Sequence, residues 1–525
     1  MCGIAGWLST TPIAADALPS LKLMIDSIAH RGPDGEGTVL FEHAALGHRR
    51  LAIIDLQTGQ QPMFSHDRRY CISFNGEIYN YQTLRKALIE QGHTFQHHSD
   101  TEVIMELYRA KGWQGFSQLR GMFAFALWDN EQQQGLLVRD PQGIKPLFIQ
   151  HDGPQLCFAS EAKALLARNG EKPSLNCNAL HQLMNFRYLP GEMSLFEGIT
   201  QLPAGRVLCW QPDGEITQQQ IPRPKAASGD TLSQLHDTIS QHLTADVEVG
   251  CYLSGGIDSA TIAAVVAQQQ PLRSFTLAVG DDPDEAINAA KSAQILGIHN
   301  QQGKISGDLE QQLLDLVWHL EVPKINALQV SQLAQLASRN VKVTLSGLGG
   351  DELFLGYNAH KIFAQCQGLS RWLPKLASQP LGRLGSGVIN TLQRTPWSEP
   401  QRAMQMLQNL GNWPPLYGLL RNVWDNPNMR QQIYGPRMLD QPLENSFALL
   451  EQRWPQSESP IAAMAQFELH NKMVNDLLWQ EDRVSMAVGL EVRTPFVDGP
   501  LIAHMRQLTP EQLMAGGAKG YMRQV

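Results

Sequence analysis

The chain has 525 residues, with 42 Lys and Arg against 50 Asp and Glu and a net charge of −8 at pH 7. That balance gives no overall attraction for nucleic acid or an anionic membrane, and no run of about 18 apolar residues offers a spanning segment. The length exceeds what a single core supports, so about two to four domains are expected. Seven cysteines (Cys2, Cys71, Cys157, Cys177, Cys209, Cys251 and Cys366) are scattered without a CxxC pair, which argues for reduced thiols and a cytoplasmic protein. Roughly the first thirty residues lack the basic and apolar regions of a signal peptide.

Residues 1–210 read as strands with short helices. Apolar runs at Cys71 to Phe74, Met122 to Trp128 and Leu136 to Val138 are bounded by Gly, Asp and Asn turns, the pattern of packed antiparallel sheets. Helical stripes fall at Leu84 and Leu88, and at Val103, Ile104, Leu107 and Tyr108. A polar, Pro-rich stretch over 211–230 reads as a linker. Beyond it, in 231–525, strands alternate with helices: a helix on Leu232, Leu235, Ile239 and Leu243, a strand from Val247 to Leu253, a helix from Ser259 to Gln268, a strand from Ser274 to Val279, a helix from Asp284 to Leu296, and a strand from Val341 to Leu345. This rhythm predicts a parallel, doubly wound α/β sheet with ligands at the carboxyl ends of its strands. From Lys361 to His470 the pattern is helical. The Gln runs at 132–134, 218–220 and 268–270 read as solvated surface.

Cys2 is the first candidate for chemistry. Removal of Met1 would give one residue a thiol and a free α-amine, whose reference pKa values lie close enough near neutrality for the amine to act as the local base. The alternative is a small buried residue opening a strand. Ser254-Gly255-Gly256-Ile257-Asp258-Ser259 lies between a predicted strand and helix, where backbone N–H groups, hydroxyls and the helix dipole can hold a phosphate. Asp258 would repel that phosphate unless a cation stood between them, which points to Mg²⁺. The alternative is an ordinary strand-to-helix turn. A second such loop, Ser346-Gly347-Leu348-Gly349-Gly350-Asp351-Glu352, would place Asp351 near Asp258 if the two strands are neighbours.

Together with His30-Arg31-Gly32-Pro33-Asp34, Arg50 to Asp55, Asn75 to Asn80, Ser99 to Glu102, Arg139-Asp140, Gly143 to Leu147 and Asp482-Arg483 through Phe496, these motifs make the chain resemble the glutamine-dependent asparagine synthetases. The resemblance covers nearly the whole chain. It implies an N-terminal-nucleophile αββα sandwich followed by an ATP-pyrophosphatase α/β domain with helical additions. It implies that Cys2 attacks the glutamine amide, with Asn75 and Gly76 as the oxyanion hole. Arg50, Leu51, Ala52, Ile53 and Ile54 would belong to the glutamine pocket, with Arg50 on the α-carboxylate and Glu77 and Asp100 on the α-amine. In the second domain, Ser254, Gly255, Gly256, Asp258 and Ser259 would bind pyrophosphate, and Leu253, Leu277, Ser346 and Gly347 the nucleoside. Asp258 and Asp351 would hold Mg²⁺, and Lys519 would neutralise charge as ammonia, arriving through a tunnel, displaces AMP. Members are often homodimers, which no heptad in this sequence supports independently.

Two departures stand out. The family usually has an acid where this chain has Leu348, and members usually continue beyond the point where this chain stops at Val525. Leu348 keeps open a different carboxylate acceptor, such as a polysaccharide acid or a small peptide, or a base supplied from elsewhere. The short tail adds a third expectation, a regulatory homologue without synthesis.

Overall fold

A computed structural model describes residues 2–170, 172–226, 228–278, 284–373, 378–384 and 399–525. The chain forms two compact units that each draw on separated stretches of sequence. The first is Met1–Ser174, Gly191–Gly349 and Leu477–Gln507; the second is Leu175–Pro190, Gly350–Asp476 and Leu508–Val525.

Two six-stranded antiparallel sheets open the first unit. In one, the spatial order is Ile199–Gln201, Phe148–Asp152, Gln155–Ala159, Gly3–Ser9, Ala44–Arg50 and Gly35–Leu40. In the other it is Ile216–Gln220, Arg206–Trp210, Gln134–Arg139, Gly121–Asp129, Tyr70–Ile78 and Met63–Phe64. The sheets pack face to face through Ile4, Leu8 and Leu46 against Ala124, Ala126, Trp128 and Leu137. Helices Leu18–Asp26 and Ala162–Asn169 cover the outside of the first sheet, and Asp100–Lys111 covers the Tyr70–Ile78 strand of the second with Tyr81–Glu90 beside it. The result is an αββα sandwich. Gly121–Asp129 is buried on both faces because one meets the opposite sheet and the other meets helices, so its sequence is a continuous apolar run rather than an alternation.

The same unit holds a five-stranded parallel sheet in the order His299–Lys304, Arg273–Ala278, Val249–Tyr252, Val343–Leu345 and Glu491–Arg493. Helices Thr231–Gln241, Ile257–Ala267 and Asp284–Leu296 pack as one group beside it, and Leu309–Leu320, Ala327–Ser338 and Leu478–Met486 as another. After Val249–Tyr252 the chain builds outward on one side, then returns to place Val343–Leu345 on the other. The carboxyl ends of these two strands therefore form a topological switch point, where open α/β sheets bind ligands.

Several sequence expectations need correction. The stretch read as a linker over 211–230 contains the edge strand Ile216–Gln220, paired with Arg206–Trp210, so Gln218, Gln219 and Gln220 are in a sheet. An edge strand is held by backbone hydrogen bonds while its side chains face water, so its composition reads as a linker. Leu232 is 47% exposed and does not join Leu235 and Ile239 in the core. His299–Lys304 and Glu491–Arg493 were not anticipated because neither carries an apolar run. Val279, residue 227 of the linker, and 374–377 and 385–398 of the helical region lie outside the described residues.

The second unit is helical throughout its described elements. Its interior is organised around the fully buried Glu468, which lies 2.9 Å from His360 Nε2 and 3.1 Å from the Tyr417 hydroxyl and also pairs with Arg421. Burial works against the Glu468 charge, but these partners outweigh it and hold the carboxyl down at about 2. No helix among the described residues is long and apolar enough to cross a membrane.

Candidate functional site

Cys2 immediately precedes the strand Gly3–Ser9 and is 7% exposed. Its backbone nitrogen donates to Asn75 Oδ1 at 3.0 Å, and its Sγ lies 3.9 Å from the Leu51 carbonyl. Burial pushes the Cys2 thiol above its ordinary value, so it needs a base to become a nucleophile. Asn75 and Gly76 lie in the Tyr70–Ile78 strand, opposite Ala124 and Phe123. The Asn75 side chain is fully buried, and its Nδ2 has no hydrogen-bond partner. A buried amide donor left unpaired in this way costs about 1–3 kcal/mol. Gly76 has φ +154°, and a Cβ there would meet the Met122 carbonyl at 2.0 Å, so only glycine keeps the strand continuous beside Asn75.

Arg50 ends the Ala44–Arg50 strand, and its guanidinium donates to the carbonyls of Asp55 (2.6 Å) and Leu56 (3.3 Å). The segment from Leu51 to Ile54 is buried. Asp34 Oδ2 accepts from the Ala52 N–H at 2.8 Å and pairs with Lys342 at 2.7 Å, while the Ile53 carbonyl accepts from Asp246 N at 3.0 Å. A loop of the antiparallel layers is thus held by two residues of the parallel-sheet region. Glu77 and Asp100 are both 5% exposed. Burial, then Glu491 and Asp100, raises Glu77 well above the carboxylate range, and burial lifts Asp100 to about 6. Asp100 Oδ2 accepts from Ile78 N at 3.0 Å, and Arg493 lies 3.8 Å from Glu77.

A buried ionic seam runs from the antiparallel layers to the parallel sheet. Arg31, fully buried, donates from Nε to the Cys2 carbonyl at 3.1 Å and pairs through Nη1 with Glu161 and Asp482, each at 2.9 Å. Lys145 reaches Asp482 at 3.3 Å, and Arg483 reaches Glu161 at 3.2 Å and Glu321 at 3.1 Å. Burial opposes the charge on Asp482, but Arg31 and Lys145 hold its carboxyl below the usual range. Arg31, Lys145, Asp482 and Arg483 fall within the motifs named above, where the resemblance assigns them no task. Glu481-Asp482-Arg483 follows Leu477-Leu478-Trp479-Gln480 on a helix of mixed character, so the local sequence gives no sign that these charges are buried.

At the switch point lies a cavity of ≈ 300 Å³, lined among others by Leu253, Ser254, Asp258, Ser259, Leu277, Ser346 and Gly347. Ser254 and Ser259 hydroxyls lie 3.0 Å apart, and Thr276 Oγ1 donates to the Leu253 carbonyl at 2.6 Å. Gly347 packs on the first turn of Ile257–Ala267, where a Cβ would stand 3.1 Å from both Asp258 Cβ and Ser259 N. The structure therefore brings the two loops together, as their neighbouring strands require. Gly255 and Gly256 belong to the exposed part of the first loop rather than to the cavity lining. Leu348 and Glu481 line the same cavity, Glu481 from the helix Leu478–Met486. In the second unit, Lys519 and Asp351 form an ion pair at 2.7 Å, with the Lys519 side chain 13% exposed.

One site offers a buried cysteine beside an amide donor, and the other an anion cradle at a switch point. Fold and sites together define the class of an amidotransferase joined to a nucleotide-using synthetase. Residues 1–221 match the family described as "Glutamine amidotransferase domain" and residues 230–525 the family described as "Asparagine synthase". The chain is 32% identical over 544 residues to asparagine synthetase [glutamine-hydrolyzing] 1 of Bacillus subtilis (strain 168), covering 99% of this chain and 83% of that protein. It is 32% identical over 389 residues to asparagine synthetase B [glutamine-hydrolyzing] of Escherichia coli (strain K12), covering 68% and 65% of the two chains. Among solved structures, the glutamine phosphoribosylpyrophosphate amidotransferase of B. subtilis aligns with TM-score 0.31 and 20% identity over 59% of this chain and 70% of that one. The chain belongs to the asparagine synthase family.

Proposed function

We propose that the protein is a glutamine- and ATP-dependent asparagine synthetase, with 1–210 as the glutamine-hydrolysing part, 211–230 as the connection and 231–525 as the synthetase part. The observation that carries this reading is the buried Asn75 amide, bonded through Oδ1 to Cys2 N and free at Nδ2. With Met1 removed, that Cys2 nitrogen is an α-amine able to take the thiol proton as sulfur attacks the glutamine carboxamide. Asn75 Nδ2, with the Gly76 N–H, then receives the oxyanion. Arg50 binds the α-carboxylate over the Leu51 to Ile54 segment. Glu77 and Asp100 bind the α-amine: burial raises both carboxyls despite Arg493 nearby, and a substrate ammonium would favour their charged forms.

ATP occupies the cavity at the switch point, with its phosphates on Ser254 to Ser259 and its nucleoside against Leu253, Leu277, Ser346 and Gly347. No Lys, Arg or His stands among the described residues lining that cavity, so a cation would offset the phosphate charge. No cluster of three or more His, Cys, Asp or Glu side chains suited to a metal occurs among the described residues. Mg²⁺, which commonly binds through one or two carboxylates together with substrate phosphates, fits such a donor set. Asp258 and Asp351 would hold it, and it would neutralise the pyrophosphate leaving group. Lys519 offsets charge in acyl transfer to ammonia. The reading carries with it a cytoplasmic homodimer acting on small molecules.

The test is to incubate the protein with ATP, Mg²⁺ and glutamine or ammonia against a panel of carboxylates. Aspartate is expected to drive AMP and pyrophosphate release together with asparagine. Turnover with another acid and none with aspartate would overturn the acceptor.

A further inference from the structure

Glu481 is a buried acid of the nucleotide cavity that the reaction as described leaves without work. It lies in the helix Leu478–Met486, is 8% exposed, and lines the cavity with Ser254, Asp258 and Leu348. Its Oε1 is buried without a hydrogen-bond partner, while the carboxyl accepts from Ser346, the residue that opens the second loop. Leaving such an oxygen unpaired costs about 1–3 kcal/mol, which a purely structural carboxyl would be expected to recover through a second protein partner. The next residue, Asp482, pairs with Arg31, and Arg31 donates to the Cys2 carbonyl. One short helix therefore turns one acid toward the nucleotide cavity and the next toward the glutamine site, which puts Glu481 on the cavity wall that faces the source of ammonia.

We propose that Glu481 is a catalytic residue of the synthetase site: its carboxylate takes the proton released when ammonia displaces AMP from the acyl-adenylate, supplying from a helix the acid that the loop lacks at Leu348. The proposal rests on the acyl-adenylate chemistry of the preceding section. The nitrogen lone pair forms the C–N bond, the C–O bond to AMP breaks with its electrons leaving on the phosphate, and one N–H proton passes to Glu481. Besides Ser346, the phenol of Tyr252 faces Glu481, and Asp258 and Glu285 line the same cavity. Burial, only partly offset by the Ser346 hydrogen bond, lifts the Glu481 carboxyl to about 7, the range in which a base both exists deprotonated and accepts a proton readily.

The experiment is Glu481→Gln with ammonia as nitrogen source. Aspartate-dependent exchange of pyrophosphate into ATP, which reports acyl-adenylate formation, is expected to fall by less than about threefold, whereas amide formation falls by about 100-fold, the scale of a lost general base. The wild-type to variant ratio of amide formation should shrink as pH drops through about 7, because a protonated Glu481 behaves as a glutamine and the titration of ammonium is common to both. Adding Leu348→Glu to the variant places a carboxyl elsewhere in the cavity lining and is expected to restore part of the rate. Unchanged amide formation overturns the proposal, and so does an equal fall in exchange and amide formation, which would make Glu481 a substrate anchor. Retained glutaminase activity in the same preparation reports folding. If aspartate is not the acceptor, the wild type itself shows no exchange with it, and the same split is read with the acid that does turn over.

Discussion

The glutamine site and the nucleotide cavity share one compact unit but are finished to different degrees. Around Cys2 the polar groups are buried and mostly anchored: Arg50 on two carbonyls, Asp100 on Ile78 N, Asn75 on Cys2 N. The nucleotide cavity instead has exposed Gly255 and Gly256 in the loop beside it, hydroxyls that bond one another, and acids with no Lys, Arg or His among the described residues of its lining. On the proposed reading the first site balances its buried acids with the substrate ammonium alone, whereas the second takes both a nucleotide and a cation.

The sharpest way to break that contrast is Cys2→Ala, which is expected to abolish glutamine-driven amide formation while synthesis from free ammonia continues. Product analysis with each nitrogen source checks it, and loss of both activities in a folded variant would refute the division of labour. Asp258→Asn should lower ATP turnover on the order of 10³-fold, the equivalent of several kcal/mol of charge stabilisation, with glutaminase activity retained. Full ATP turnover in that variant would mean the cavity needs no cation there. The smallest effect concerns the seam between the sites. Asp482→Asn leaves Arg31 and Lys145 buried without their shared anion and should cost about 3 kcal/mol of stability, read from denaturant or thermal melts. Because the folded Asp482 carboxyl is held below its ordinary value, its contribution is complete above that ordinary value and is lost as pH falls through the lower folded one. Wild type and variant should therefore converge in acid.

Much of this was legible in sequence, for reasons that differ by region. Gly121–Asp129 and Asp284–Leu296 were legible because continuous burial on two faces and a helical period leave direct traces in side-chain type. The loops at Ser254 and Ser346 were legible as turns because glycine and hydroxyl residues mark a strand-to-helix turn, and their neighbouring strands bring them together. Ile216–Gln220 and His299–Lys304 were hidden because edge strands are held by backbone hydrogen bonds that composition does not record. Glu481 and the ion pairs of Arg31 and Asp482 were hidden for another reason. Their partners lie hundreds of positions away, and an acid on a helix looks solvated until the fold buries it.

The Arg31–Asp482 contact has a consequence for recombination. Chimeras that exchange the first 210 residues with those of a relative would cut the chain in a polar stretch that looks permissive, yet they would separate Arg31, Lys145 and Glu161 from Asp482 and Arg483. Those five residues behave as one inherited character distributed over two ends of the chain. A working exchange must carry the segment Leu477–Gln507 with the N-terminal part it has to match.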